Sequence, residues 1–343
     1  MANLKSNFLK SIIQRKNQYY KLPASIEEWQ IKRNEIYLKI SNILGWLGVP
    51  KALDVKNYPF RFHGINWKGS KLSIVNSQDG DFIPFFLLTP NNSTTESPIA
   101  IVLHRYPWTL NYEIGKSEVV GLAGDSSLSF GKYLAEKGYV VIAPDSVLFE
   151  DRNLYGKSTK RFEEYFYGNL LLHGISFLGK MVSDISAIVS FAIKSKLGNP
   201  NKLSCIGFSM GGTQAYIASA LDERIKATVS ICAVRSYIDA LRNSIPHPYI
   251  WYIPGILNFC DIPQLISLIA PRYFLVISDT DQVIQEGAKR CTKYAKQIYG
   301  LYGSEDRIRQ IIQKEIHAIT PKTLSSIDKW LNNCFQSSFK RIQ

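Results

Sequence analysis

The segment Leu203-Ser204-Cys205-Ile206-Gly207-Phe208-Ser209-Met210-Gly211-Gly212 decides how this chain is read. Its first half is apolar enough for a strand buried on both faces, and residues 211–220 suit a helix. Between them lies G-x-S-x-G. A serine in that pattern sits on a very tight strand-to-helix turn, in a strained backbone conformation that lifts its hydroxyl above the sheet. Side chains at Gly207 and Gly211 would collide with neighbouring backbone. The helix that follows turns its positive end toward the serine, and the backbone N–H of Met210 is placed to donate to an oxyanion. Ser209 is therefore read as a nucleophile.

A serine hydroxyl is a poor nucleophile until a base takes its proton. With this turn the partners follow in the order Ser, then Asp or Glu, then His. Two histidines come after Ser209. His247 lies in a proline-rich aromatic stretch, whereas His317 stands just before Ala318-Ile319-Thr320-Pro321 and a final helix. His317 is the expected base. The acid should follow a late strand, and Tyr273 to Ile277 is followed by Ser278-Asp279-Thr280-Asp281. Asp281 is preferred, because it leaves a short loop for the carboxylate to turn back; Asp279 stays open as the alternative. The carboxylate would orient the imidazole and stabilise its cation without taking the proton. The second oxyanion donor is expected from the backbone N–H of Arg105 or Tyr106, in the loop after strand 99–103. His104 is expected to shape that loop.

Outward from this site, the chain alternates strand and helix from residue 99 onward. Strands are expected at 99–103, 139–143, 203–207, 226–232 and 273–277, with helices near 128–137, 177–196, 211–220, 286–298 and 321–333. Repeated βα units imply a mostly parallel sheet with helices on both faces. Residues 59–90 read as an antiparallel edge, with turns at Gly69-Ser70 and Asp79-Gly80. Residues 1–58 read as a helical accessory segment. Ser25 and Glu28 form a capping-box pattern there, followed by Trp29, Ile36, Ile40 and Ile43 at helical spacing and by Gly45 and Pro50. The catalytic domain is then 59–343.

The 343 residues carry a net charge of +13, with 45% hydrophobic and 20% charged residues. That composition suits one large α/β domain. The basic excess is spread, with eleven Lys/Arg against four Asp/Glu in residues 1–61 and no dense run elsewhere. Nucleic-acid binding is not expected. The five cysteines form no C-x-x-C pair, so neither a disulfide framework nor a metal site is suggested. The N-terminus lacks a signal-like apolar region, and no apolar run reaches transmembrane length. A cytoplasmic setting is the expectation.

These motifs resemble the dienelactone hydrolase and acetyl xylan esterase-like branch of the α/β-hydrolases. The likeness runs from about residue 25 to 335. It is carried by Leu103-His104 leading into Gly121-Leu122-Ala123-Gly124, by Ala135 to Tyr139 with Ala143-Pro144-Asp145, and by the Ser209 turn. Leu221 to Ala227, Ile269-Ala270-Pro271-Arg272, and His317 with Ile319-Thr320-Pro321 complete it. The resemblance implies the α/β-hydrolase fold, an acid at Asp281, a base at His317, and no cofactor. Ser209 stands where dienelactone hydrolases proper use Cys, and Ile316 where a Gly commonly precedes the base. Aromatic stretches at 149–177 and 237–262 are expected to roof the pocket, with Tyr249, Trp251 and Tyr252 touching substrate. The expected activity is hydrolysis of a small-molecule ester through an acyl-enzyme. An amidase, thioesterase or acyltransferase with the same triad is the alternative, as is a non-catalytic binding protein. Oligomeric state is left open.

Overall fold

The computed structural model describes residues 21–337 apart from 47, 51–52, 108–111, 154–158 and 244–246. Residues 1–20, the first part of the basic stretch 1–61, lie outside the described residues.

Nine strands form one sheet in the order β1-β2-β3-β5-β4-β6-β7-β8-β9. Three of them, β1 (Leu53–His63), β2 (Trp67–Asn76) and β3 (Phe82–Pro90), make an antiparallel meander whose last strand pairs antiparallel with β5 (Val140–Pro144). The rest is parallel: β5, β4 (Ile99–Leu103), β6 (Leu203–Phe208), β7 (Ala227–Ile231), β8 (Tyr273–Ser278) and β9 (Ile308–Ile312). The central parallel strands are buried throughout and mostly apolar because both their faces are covered.

Among the described residues ten helices flank the sheet: α1 (Ile26–Leu44), α2 (Lys116–Val120), α3 (Phe130–Glu136), α4 (Lys160–Leu172), α5 (Phe177–Lys194), α6 (Met210–Leu221), α7 (Tyr237–Arg242), α8 (Ile262–Ser267), α9 (Gln282–Leu301) and α10 (Pro321–Ser337). Side chains alternate across each strand, so Val140 and Ile142 face one core and Val141 and Ala143 the other. The first core is closed by α1, α5, α6, α8 and α9, the second by α2, α3 and α10. No single helix among the described residues is long and apolar enough to cross a membrane. All five cysteines are buried and unbridged.

The N-terminal helix forms as its caps dictate. Ser25 Oγ accepts from the Glu28 N–H, and Gly45 closes the other end in the left-handed region. Trp29, Ile36 and Ile40 are buried in the first core, so the helix is part of the main domain's packing. Two details differ from expectation. Strand β1 begins at Leu53, before residue 59, and Gly69 lies inside β2 rather than in a turn. The Phe62 ring lies across Gly69, where a Cβ would sit 2.5 Å from it. Close approach of a ring, not chain reversal, explains that glycine.

The chain leaves β4 toward β5 on one side and returns through β6 on the other. This makes a switch point at the carboxyl ends of β4 and β6, where sheets of this kind open a crevice.

Candidate active site

Five consecutive parallel strands deliver the site. Leu103 of β4 pairs with Gly207, Phe208 of β6 with Ile231, Ile231 with Ile277, and Ser278 with Ile312. The strands therefore end level. Backbone bonds carry the ladder one step further, from Ser209 N–H to Ile231 O (2.8 Å), Cys232 N–H to Ile277 O (2.7 Å) and Gln313 N–H to Ser278 O (2.9 Å). Residues just past the strand ends are thus fixed by the sheet itself.

Ser209 sits at φ 56°, ψ −116°, immediately before α6. A Cβ on Gly207 would lie 2.0 Å from the Gly211 carbonyl oxygen, and one on Gly211 2.2 Å from that of Leu103. Both contacts are impossible, which is why glycine flanks the serine on each side. Cys232 (φ 54°) and His317 (φ 44°) share the left-handed region. Three of the six non-glycine residues with positive φ among those described thus line one pocket. Such strain persists only where the surroundings over-determine it, and it concentrates at functional sites.

The pocket holds about 190 Å³ and joins Ser209, Met210 and His317 with Tyr106, Cys232 and Trp251. Leu178, Ile250 and Ile284 make its apolar wall. Burial lowers the His317 pKa below the ordinary 6.5; Asp279 opposes that shift, and the Arg105 and Arg235 guanidinium groups add to it. Its ring packs on Phe208 with centroids 4.9 Å apart.

The structure brings Asp279, not Asp281, to His317. Asp279 is fully buried and its Oδ2 accepts from the His317 backbone N–H at 3.2 Å. Its carboxylate, a His317 ring nitrogen and the Cys232 sulfur lie within 4.8 Å of one another. Asp281 is exposed, and its Oδ1 accepts from the Ile284 N–H at 3.1 Å at the start of α9. Of the two candidate aspartates, Asp279 is the one beside His317, while Asp281 caps the start of α9.

The loop after β4 is held from below. The His104 ring is buried and kept neutral, its pKa lowered by desolvation. Its Nε2 accepts from the Ser146 N–H (3.1 Å), which leaves Nδ1–H to donate to Arg105 O (2.9 Å). The Arg105 side chain leaves the pocket and binds Glu118 through two nitrogens, at 3.1 and 3.0 Å. Tyr106 stays on the pocket wall. Its hydroxyl donates to Glu163 on α4 (2.7 Å), as does that of Tyr112 (2.6 Å). Helix α4, from the aromatic stretch expected to roof the pocket, is latched to this loop.

Among the expected substrate contacts, only Trp251 lines the pocket. Tyr249 is exposed and stacks on Tyr167, while Tyr252 lines a separate groove with Tyr237 and Ile253. Residues 249–251 form a 3₁₀ turn, in which positions three apart share a side. Tyr249 and Tyr252 therefore face away together while Ile250 and Trp251 point inward. Sequence reasoning missed Arg235, which is only 8% exposed on the pocket wall, contacts His247 and lies over the Trp251 ring.

Two groups of side chains have metal-like spacing. Cys232, Asp279 and His317 form one; Asp145, Glu150 and Asp151 form the other. In the second, the fully buried Lys116 ammonium lies 2.6 Å from all three carboxylates and supplies the cation itself.

Residues 116–245 match the Dienelactone hydrolase family. The chain has the α/β-hydrolase fold, and this stretch is similar to the dienelactone hydrolase family. The matched stretch holds the Ser209 turn but ends before Asp279 and His317. Over 257 residues the hydrolase is 28% identical to YtaP of Bacillus subtilis (strain 168), itself named as a hydrolase; this covers 72% of the chain and 83% of that protein. A Bacteroides fragilis NCTC 9343 structure, named as an acetyl xylan esterase, superposes with a TM-score of 0.71 at 15% identity, covering 91% and 83% of the two chains. A glucuronoyl esterase from Solibacter usitatus gives 0.65 at 15% identity, covering 90% and 93%. At such identities the structural matches speak for the fold.

Proposed function

We propose that this hydrolase cleaves a carboxylic ester through an acyl-enzyme formed on Ser209. His317 takes the serine proton as base and returns it to the leaving alcohol as acid. Asp279, rather than Asp281, orients the imidazole and stabilises its cation. The N–H of Met210 and that of Tyr106 or Arg105 receive the oxyanion. The observation that carries this reading is the strained Ser209 turn opening into the same pocket as His317, with a buried carboxylate behind the ring.

The pocket's size and lining bear on substrate. An apolar cavity of roughly 150 Å³ holds a benzene. The volume here accommodates one acyl or alcohol part of about that size, against Trp251, Ile250 and Leu178. We infer a small ester with one apolar or aromatic part. The structural neighbours named as esterases agree with ester chemistry in general.

A panel of small aryl and alkyl esters, with matching thioesters and amides and an added acceptor alcohol, tests the reading. Ester turnover above the others, lost in Ser209→Ala, is expected. Preferential amide or thioester cleavage, or transfer to the alcohol, would move the assignment to the alternative activities.

A further inference from the structure

We propose that Cys232 is a positioning residue of this site, its thiol donating to the Asp279 carboxylate and tying it, through Gln313, to the loop that carries His317. The proposal rests on the reading of Asp279 as the orienting acid.

Asp279 is fully buried and must have its lone pairs satisfied. Oδ1 accepts from the Asp281 N–H (3.1 Å) and Oδ2 from the His317 N–H (3.2 Å). The Cys232 sulfur lies within 4.8 Å of the same carboxylate, which places its S–H to serve as a further donor. Burial first, and Asp279 next, push this thiol's pKa well above its usual range. It stays protonated, so it acts as a donor and not as a second nucleophile.

The sulfur is held in turn. Gln313 Nε2 donates to Cys232 Sγ (3.5 Å), to Ala318 O (2.7 Å) and to Glu315 O (3.2 Å). It therefore clamps the turn on both sides of His317. Gln313 Oε1 accepts from the Thr323 hydroxyl (3.0 Å), which anchors the clamp to α10. The charged and titratable groups that act on His317 are Asp279, Cys232 and Arg235 beside the pocket, with Arg105 acting through its charge from outside it. Removing the S–H donor leaves more of the Asp279 charge for the ring.

The test compares wild type, Cys232→Ala and Cys232→Ser in full-length protein, by kcat, KM and pH profile. For Cys232→Ala, kcat falls about tenfold, the loss of one hydrogen bond to a charged group, while KM stays within about twofold. The acid limb of its kcat profile moves up by about half a unit, as more negative charge faces the imidazole. Cys232→Ser, which keeps a donor, restores most of kcat. An unchanged kcat and pH profile in Cys232→Ala would overturn the proposal, as would failure of the serine variant to rescue. An infrared measurement needs no turnover. The wild-type minus Cys232→Ser difference isolates one S–H band, which Asp279→Asn must shift upward; an unmoved band overturns the contact. If Ser209→Ala keeps full activity, the acyl-enzyme reading fails instead, and the infrared result still stands on its own.

Discussion

The Asp279 carboxylate accepts the backbone N–H of His317 at 3.2 Å, so the two residues are tied through the main chain of the His317 loop. Asp281, two residues on, faces the start of α9. The two aspartates should therefore separate cleanly on substitution. Asp279→Asn is expected to lower kcat by about 10⁴, the scale seen when a triad acid is neutralised. Asp281→Asn keeps a capping side chain and should leave kcat within about threefold, with under about 1 kcal/mol of stability change. Steady-state kinetics on both variants, beside thermal melts, checks this.

The pH dependence follows from burial. His317 must be neutral to act as base, and desolvation lowers its pKa below 6.5. The acid limb of kcat/KM should accordingly titrate below the ordinary histidine value. Stability should share the trend through His104, which desolvation also keeps neutral. As pH falls through 6.5, the unfolded chain takes up a proton that the folded ring resists, so folding stability declines on the acid side. A melting temperature that rises as pH drops from 7 to 5.5 would contradict this.

Lys116 supports the site from beneath. Burial opposes its charge, but Asp145, Glu150 and Asp151 outweigh that and raise its pKa. Lys116→Met would strand three carboxylates around an apolar chain. A loss of roughly 3–5 kcal/mol is expected, as when one partner of a buried ion pair is removed. Chemical denaturation measures it, and a cost below about 1 kcal/mol would contradict the buried-cation account.

The Glu163 latch links α4 to the pocket wall. Glu163→Ala removes the carboxylate that both the Tyr106 and Tyr112 hydroxyls donate to and leaves them only each other (3.1 Å), a cost of about 2 kcal/mol. Because Tyr106 lines the pocket, KM should rise along with that loss. Glu163→Gln retains an acceptor and should show a milder form of both effects. Kinetics and melts on the pair check this.

Much of this was legible in the residues, for identifiable reasons. The Ser209 turn is set by steric exclusion at Gly207 and Gly211, which acts within five residues and so shows in the sequence. That His317 shares a pocket with Ser209 accords with the expected chain order. Which aspartate meets His317 did not show in the sequence, because both Asp279 and Asp281 suit a post-strand turn, and only the start of α9 at Gln282 shows Asp281 capping that helix. Strand β9 escaped notice since Ile308-Arg309-Gln310-Ile311-Ile312 is a short, half-polar edge strand with little pattern. The outward turn of Tyr249 and Tyr252 depends on a 3₁₀ turn that composition does not signal. Arg235 was missed because a lone arginine after a strand reads as solvated until its burial is seen.

The central claim is that Ser209 is an activated nucleophile. Treatment with a fluorophosphonate followed by peptide mass spectrometry tests it most directly. The account predicts one stoichiometric adduct on Ser209, absent in Ser209→Ala and much slowed in Asp279→Asn. No adduct, or equal labelling of Ser209→Ala, would contradict it.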